Sequence, residues 1–252
     1  KTLSEHFKKA AEYYKERFLR NKPSFVVEIG SNDGVLLKPL VDLGINAVGV
    51  DPSENVSKIA KEKGLNVIVD YFNERVAEKI VEKNGKADLI IANNVFAHID
   101  NLDEVMEGVK VLLKEDGVYI FEVHYIVDLL EKVQYDTIYH EHLCYYSLHA
   151  LSCLMNRFDM EIFDVERISI HSGSVRVFTR KKEVKKEIKE KVNELLNLEK
   201  EKGILNEKIY MDFGSFANKN KIELVNLLKK LKKQGKRIIG YGASGRGVIL
   251  LN

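Results

Sequence analysis

Between residues 24 and 124 the chain alternates short Val/Ile-rich runs with helical stretches, and this alternation constrains the fold more than any other feature. Apolar runs fall at 25–29, 47–50, 66–69, 88–92 and 117–123. Strands covered on both faces read as unbroken apolar runs, and helical crossovers between them make neighbouring strands parallel. The expected fold class is therefore α/β, with a doubly wound sheet. Ahead of it, Leu3, Phe7, Ala10, Ala11, Tyr14 and Phe18 recur at helical spacing and stop before Asn21 and Pro23, which predicts an amphipathic helix. Behind it, residues 162–180 alternate apolar and polar positions as an antiparallel hairpin does. Residues 181–202, with Val184, Ile188, Val192 and Leu195 on one face, read as a charge-laced helix, and 222–231, with Val225, Leu228 and Leu231, as a second. The segment "KRIIGYGASGRG" reads as a strand and a glycine-rich turn opening another nucleotide-binding-like unit. The expected divisions are a main domain over 1–180, a helical connector over 181–234 and the start of a further lobe over 235–252.

Charge excludes some functions. The formal net charge is +2, with lysines interleaved among glutamates, so no phosphate-tracking surface for nucleic acid is expected. Only two cysteines are present, without a CxxC pair, which rules out a disulfide framework or a zinc site built from sulfur alone. A reducing cytoplasm is the expected location. No run of about eighteen apolar residues occurs, so no membrane span is expected.

The turn "VVEIGSNDG" sets Gly30 and Gly34 between a strand and a helix, where glycine lets a ligand approach the backbone. It is not the GxGxxG dinucleotide fingerprint, because Ser31, Asn32 and Asp33 fill the loop and acidic Glu28 precedes it. Acid here disfavours pyrophosphate. A cationic ligand with a carboxylate tail fits better, and S-adenosylmethionine is such a ligand. Asp51, at the tip of the second strand, is placed for a ribose diol. Tyr71 and Phe72, after Asp70, are placed to frame an adenine ring, and Asn93 or Asn94 to line the same crevice.

The stretch "TIYHEHLCYYSL" concentrates proton-handling side chains. A metal would need more than His140 and His142, the pair that alternation puts on one face, and no metal is expected. Acid/base work needs only one histidine and a group to tune it. Arg246, in the glycine-rich segment, is placed to meet a phosphate.

The segments "VEIGSNDGVLL", "GVDPSENVSKIAKEKG", "YHEHLCYYSL", "ISIHSGSVRVF" and "GKRIIGYGASGRGVILLN" occur in that order, and with them the chain resembles the S-adenosylmethionine-dependent C-methyltransferases that act on nucleotide-linked ketodeoxysugars. The resemblance implies a Rossmann-like class I methyltransferase sheet and, over 235–252, the start of a second Rossmann-like lobe. It also implies a fragment, lacking the family's N-terminal zinc lobe and most of its C-terminal lobe. His142 would be the general base, assisted by Tyr139 and Glu141, with His171, Ser174 and Arg246 on the side of the sugar nucleotide. His124 stands where the family usually has proline, and Ser172 where it has glycine. The expected reaction is proton abstraction beside a ketone and methyl transfer to the enolate carbon. O- or N-methylation on the same fold, or binding without catalysis, are the alternatives.

Overall fold

The computed structural model describes residues 2–19, 23–242 and 245–251. Helix α1 (Thr2–Phe18) precedes β1 (Phe25–Ile29), α2 (Leu37–Asp42), β2 (Asn46–Val50), α3 (Glu54–Glu62), β3 (Val67–Ile68), α4 (Glu74–Asn84) and β4 (Ala87–Asn93). There follow α5 (Leu102–Leu112), β5 (Leu113–His124), α6 (Ile126–Glu131), α7 (Leu148–Arg157), β6 (Met160–Ile168), β7 (Ser174–Lys181), α8 (Glu190–Glu201), α9 (Glu207–Lys233) and α10 (Gly245–Leu251). The strands form one seven-stranded sheet in the order β3-β2-β1-β4-β5-β7-β6. Strands β1 to β5 run parallel, and β7 enters antiparallel between β5 and β6.

Both faces of the sheet are covered, as the unbroken apolar runs require. Val27 and Ile29 of β1 join the layer that holds Val76, Val105 and Leu151 of α4, α5 and α7. Val26 joins the opposite layer, with Phe7, Leu37 and Ala60 of α1, α2 and α3. The polar side of α1 is tied to the antiparallel part of the sheet: His6 Nε2 lies 3.3 Å from Glu122 Oε2, Tyr13 donates to Glu166 at 2.6 Å, and Arg17 donates to Asp164. These ties hold the start of α1 beside the carboxyl ends of the strands.

Three expected elements differ. Residues 181–189 do not open a helix. The Lys182 N–H donates to Asp159 O at 3.0 Å and the Lys189 N–H to Phe163 O at 2.9 Å, so this segment folds back along β6 and α8 starts at Glu190. Val192 and Leu195 are buried in the main core, whereas Ile188 is exposed. The helix expected over 222–231 is the end of the 27-residue α9, none of whose residues is buried. Residues 236–242 make no strand: Ile238, Ile239 and Tyr241 are exposed, and no described strand pairs with them. A segment without a ladder partner leaves its backbone groups to water. Ala243 and Ser244 of the expected turn lie outside the described residues, and Gly245 begins α10. No helix among the described residues is long and apolar enough to cross a membrane.

The connections after β1 and β4 leave in opposite directions, one through α2 to β2 and the other through α5 to β5. The crevice beyond these two strand ends is the switch point where open α/β sheets bind ligands.

Candidate active site

The turn after β1 needs glycine for conformation and for space. Gly30 has φ +70°, and a Cβ there would stand 2.4 Å from Val95 Cγ2. Gly34 has φ +83°, and its Cβ would stand 2.2 Å from Leu65 Cδ1. The Gly30 N–H donates to Val50 O at 2.8 Å, laying the turn across the end of β2. Asp51 completes the link: Oδ2 accepts the Asn32 N–H at 2.8 Å, and Oδ1 accepts the Ser53 N–H at 2.9 Å. Above the turn lies a cavity of about 600 Å³ whose wall includes Gly30, Asn32, Asp51, Asn93 and Asn94, with Leu3 and Phe7 of α1 at its lip. Both side-chain polar atoms of Asn93 and the Oδ1 of Asn94 are buried without a hydrogen-bond partner among the described residues. Buried polar groups are normally paired, so this unmet demand fits a polar ligand.

A second cavity, of about 250 Å³, shares Asn94 and His98 with the first and is walled by His124, Thr137, Tyr139, His142 and Arg246. His142 Nδ1 lies 2.8 Å from the Thr137 carbonyl oxygen. A carbonyl only accepts, so Nδ1 carries the proton and Nε2 keeps the lone pair. The Tyr139 hydroxyl is 3.3 Å from that Nε2. The His98 and His124 rings each have centroids 5.1 Å from that of His142. Burial holds His142 below its ordinary imidazole value; His98 and Arg246 add to that effect, while the Thr137 carbonyl and Glu141 oppose it. A neutral imidazole with a lone pair on a cavity wall is equipped to take a proton.

The structure thus brings together Gly30, Asn32, Asp51 and Asn93 in one cavity and Tyr139, His142 and Arg246 in the next, while Gly34 shapes the turn from below. Four expected residues are placed differently. Glu28 is buried in β1 on the α2 side, where burial, with Asp51 nearby, raises its carboxyl well above the ordinary range. It does not line the cavity. Phe72 is 7% exposed and packs near Gly108 in the core, whereas Tyr71 is 73% exposed, and neither lines the cavity. Ser174 is buried with its hydroxyl donated to Ile170 O at 3.1 Å, so it faces the hairpin turn and lines neither cavity. The His171 side chain lies outside what the structure describes.

Two roles also change. Glu141 is exposed, and the Thr137 carbonyl, not its carboxylate, orients His142. Arg246 reaches the cavity wall, but its Nε and Nη2 donate to the two carboxylate oxygens of Asp136 at 2.8 and 2.9 Å. The Thr137 carbonyl was invisible to sequence reasoning, because a backbone oxygen has no letter. His98 was visible only as a lone histidine. Its Nδ1 donates to Glu141 O at 2.9 Å, which fixes its ring beside His142. Among the described residues no three His, Cys, Asp or Glu side chains are grouped to hold a metal ion.

Comparison with known proteins adds a family. Residues 3–165 match the methyltransferase domain family, and residues 169–252 match the C-methyltransferase C-terminal domain. The C-methyltransferase NovU of Streptomyces niveus is 34% identical over 250 residues, which are 99% of this chain and 60% of NovU. The chain therefore spans about 60% of that relative's length. Among solved structures, the CcbJ methyltransferase from Streptomyces caelestis aligns with a TM-score of 0.54 at 14% identity, over 69% of this chain and 89% of CcbJ. Magnesium protoporphyrin IX methyltransferase from Synechocystis PCC 6803, solved with bound SAH, aligns with a TM-score of 0.53 at 13% identity, over 71% of this chain and 82% of its own. At these identities the two structures share the fold.

Proposed function

The chain belongs to the methyltransferase domain family, and from that premise we propose that it is an S-adenosylmethionine-dependent C-methyltransferase acting on a nucleotide-linked ketodeoxysugar. One observation carries the reading: the lone-pair nitrogen of His142 stands on a cavity that adjoins the glycine-turn cavity through Asn94 and His98. A base next to a methyl-donor pocket is what carbon methylation needs and what an already nucleophilic oxygen or nitrogen needs less. The match of residues 169–252 to a C-methyltransferase C-terminal domain and the likeness to NovU support the same choice.

S-adenosylmethionine, when bound, supplies an electrophilic methyl on a sulfonium. The Gly30 turn, Asn32, Asp51 and Asn93 are the residues that would hold it, and the unpaired atoms of Asn93 and Asn94 give it polar partners. His142 Nε2 takes the proton from the carbon beside the ketone. The Thr137 carbonyl stabilises the imidazolium that results, through the Nδ1 hydrogen bond. Tyr139, whose hydroxyl already touches Nε2, is placed to donate to the developing enolate oxygen. Arg246, held by Asp136, adds positive charge at the mouth of the same cavity.

The test is to incubate the full-length protein with methyl-labelled S-adenosylmethionine and a panel of ketosugar nucleotides, and to locate the label. Label on carbon, with solvent exchange of the α-hydrogen, is the expected result. Label on oxygen or nitrogen, or cofactor binding with no transfer, would overturn it.

A further inference from the structure

We propose that Tyr145 is a positioning residue: its phenol clips the loop bearing Thr137 and Tyr139 and so fixes which nitrogen of His142 holds the proton. The inference rests on reading His142 as the base. The Tyr145 hydroxyl donates to the Thr137 carbonyl at 2.9 Å, and the same oxygen accepts the Nδ1 proton of His142 at 2.8 Å. Both lone pairs of the Thr137 carbonyl are used, one by the phenol and one by the imidazole. Burial raises the Tyr145 phenol above its ordinary value, so it remains a donor throughout the range in which the base works.

The rest of the Thr137 residue is anchored behind this oxygen. Its N–H and its hydroxyl both donate to Gln134 O, at 3.1 and 2.8 Å, and the Ile138 N–H donates to Tyr135 O at 3.0 Å, so what the two side chains on the Thr137 oxygen set is the direction of that carbonyl. Without the phenol, that carbonyl loses one of the two side-chain partners on its oxygen. If it turns, His142 loses the acceptor at Nδ1, the proton can shift to Nε2, and the lone pair leaves the cavity. The groups facing His142 from other elements are His98 of the 96–98 turn, His124 at the end of β5 and Arg246 of α10; Tyr139 and Glu141 lie on its own loop. The Thr137 carbonyl is the acceptor at Nδ1, and the Tyr139 hydroxyl, 3.3 Å from Nε2, can donate to the lone pair there and so favours the same tautomer.

The experiment compares wild type, Tyr145→Phe and Tyr146→Phe in the full-length chain carrying ¹⁵N-labelled histidine. Tyr146 donates to Phe96 O at 3.0 Å inside the core and leaves the base loop untouched, so it reports the cost of losing a nearby phenol. In the resting wild type, His142 should show a protonated Nδ1 and an unprotonated Nε2. In Tyr145→Phe it should show mixed tautomers, and kcat should fall about tenfold, part of the 10²–10⁴ that a general base supplies. The acid limb of kcat/KM should move to lower pH, because the Nδ1 hydrogen bond that favours the imidazolium is weakened. KM for the cofactor should not change. Tyr146→Phe should keep the wild-type tautomer and acid limb. A protonated Nε2 in the resting wild type overturns the proposal whether or not any variant folds. So does a Tyr145→Phe protein that melts lower yet keeps the wild-type tautomer and limb. Since the spectra need no substrate, a failure of the C-methyltransferase reading would show separately, as absent methyl transfer in a wild type with the expected tautomer.

Discussion

The rings of His98 and His142 lie with centroids 5.1 Å apart, and each has its Nδ1 proton tied to a backbone carbonyl of the same loop, Glu141 O and Thr137 O respectively. Two imidazolium charges at that separation repel, so His98 helps keep His142 neutral. The acid limb of kcat/KM should accordingly lie below the ordinary imidazole value, with activity rising as pH rises through it. His98→Gln removes the repelling charge and should move that limb to higher pH. Rate profiles of the two proteins check this, and an unmoved limb would remove His98 from the electrostatics of the base.

The two cavities should separate kinetically. His142→Ala should cut kcat by about 10²–10⁴, the usual contribution of a general base, while the Kd for S-adenosylmethionine stays at its wild-type value. Asp51→Ala should do the reverse, weakening cofactor binding first, since Asp51 both faces the cofactor cavity and holds the Asn32 N–H. Calorimetric titration alongside turnover measurements reads both. Equal losses in both quantities for either variant would mean that the cavities do not act separately.

Gly30 and Gly44 share a left-handed backbone, at φ +70° and +78°, but differ in surroundings. A Cβ on Gly44 meets nothing within 4 Å, so Gly44→Ala should lose only the backbone strain, about 1–2 kcal/mol. At Gly30 the added carbon also strikes Val95, and overpacking adds about 1–3 kcal/mol more. Gly30→Ala should therefore melt lower than Gly44→Ala and alone weaken cofactor binding. Thermal melts and titrations of the two variants decide it.

The parallel half of the sheet was legible because two-sided burial leaves a one-letter record: the runs at β1 and β4 are apolar at nearly every position. The antiparallel hairpin was legible from its alternation. Residues 181–189 were not, since a lysine- and glutamate-rich run looks the same on a helix and on a strand-like return held by Lys189 and Phe163. The segment after Lys236 has a strand's composition but no ladder partner, and pairing is a property of two segments. At the site, residue type and spacing pointed to Gly30, Asp51 and His142, which line two adjoining cavities. Phe72 misled because an aromatic after a strand serves a core and a ligand equally well. What meets Nδ1 of His142 is a backbone oxygen, itself held by the Tyr145 phenol, and no residue spacing marks either contact.

Glu28 gives a stability prediction whose sign is fixed by burial. Its carboxyl is 4% exposed, Oε2 has no partner among the described residues, and burial together with Asp51 raises it well above the ordinary carboxyl range. The folded chain therefore holds this proton to a higher pH than the unfolded chain does. A folded-state value raised above the unfolded one leaves stability intact below the ordinary carboxyl range and erodes it as pH climbs toward the raised value. Glu28→Gln is neutral throughout and keeps the shape of the buried side chain. Its Tm should therefore exceed that of wild type at about pH 8 and lie level with it or slightly lower at about pH 4. Melts across that interval measure the difference directly. A constant gap between the two proteins would show that Glu28 does not titrate differently on folding, and would restore its carboxylate as a charged neighbour of the glycine turn.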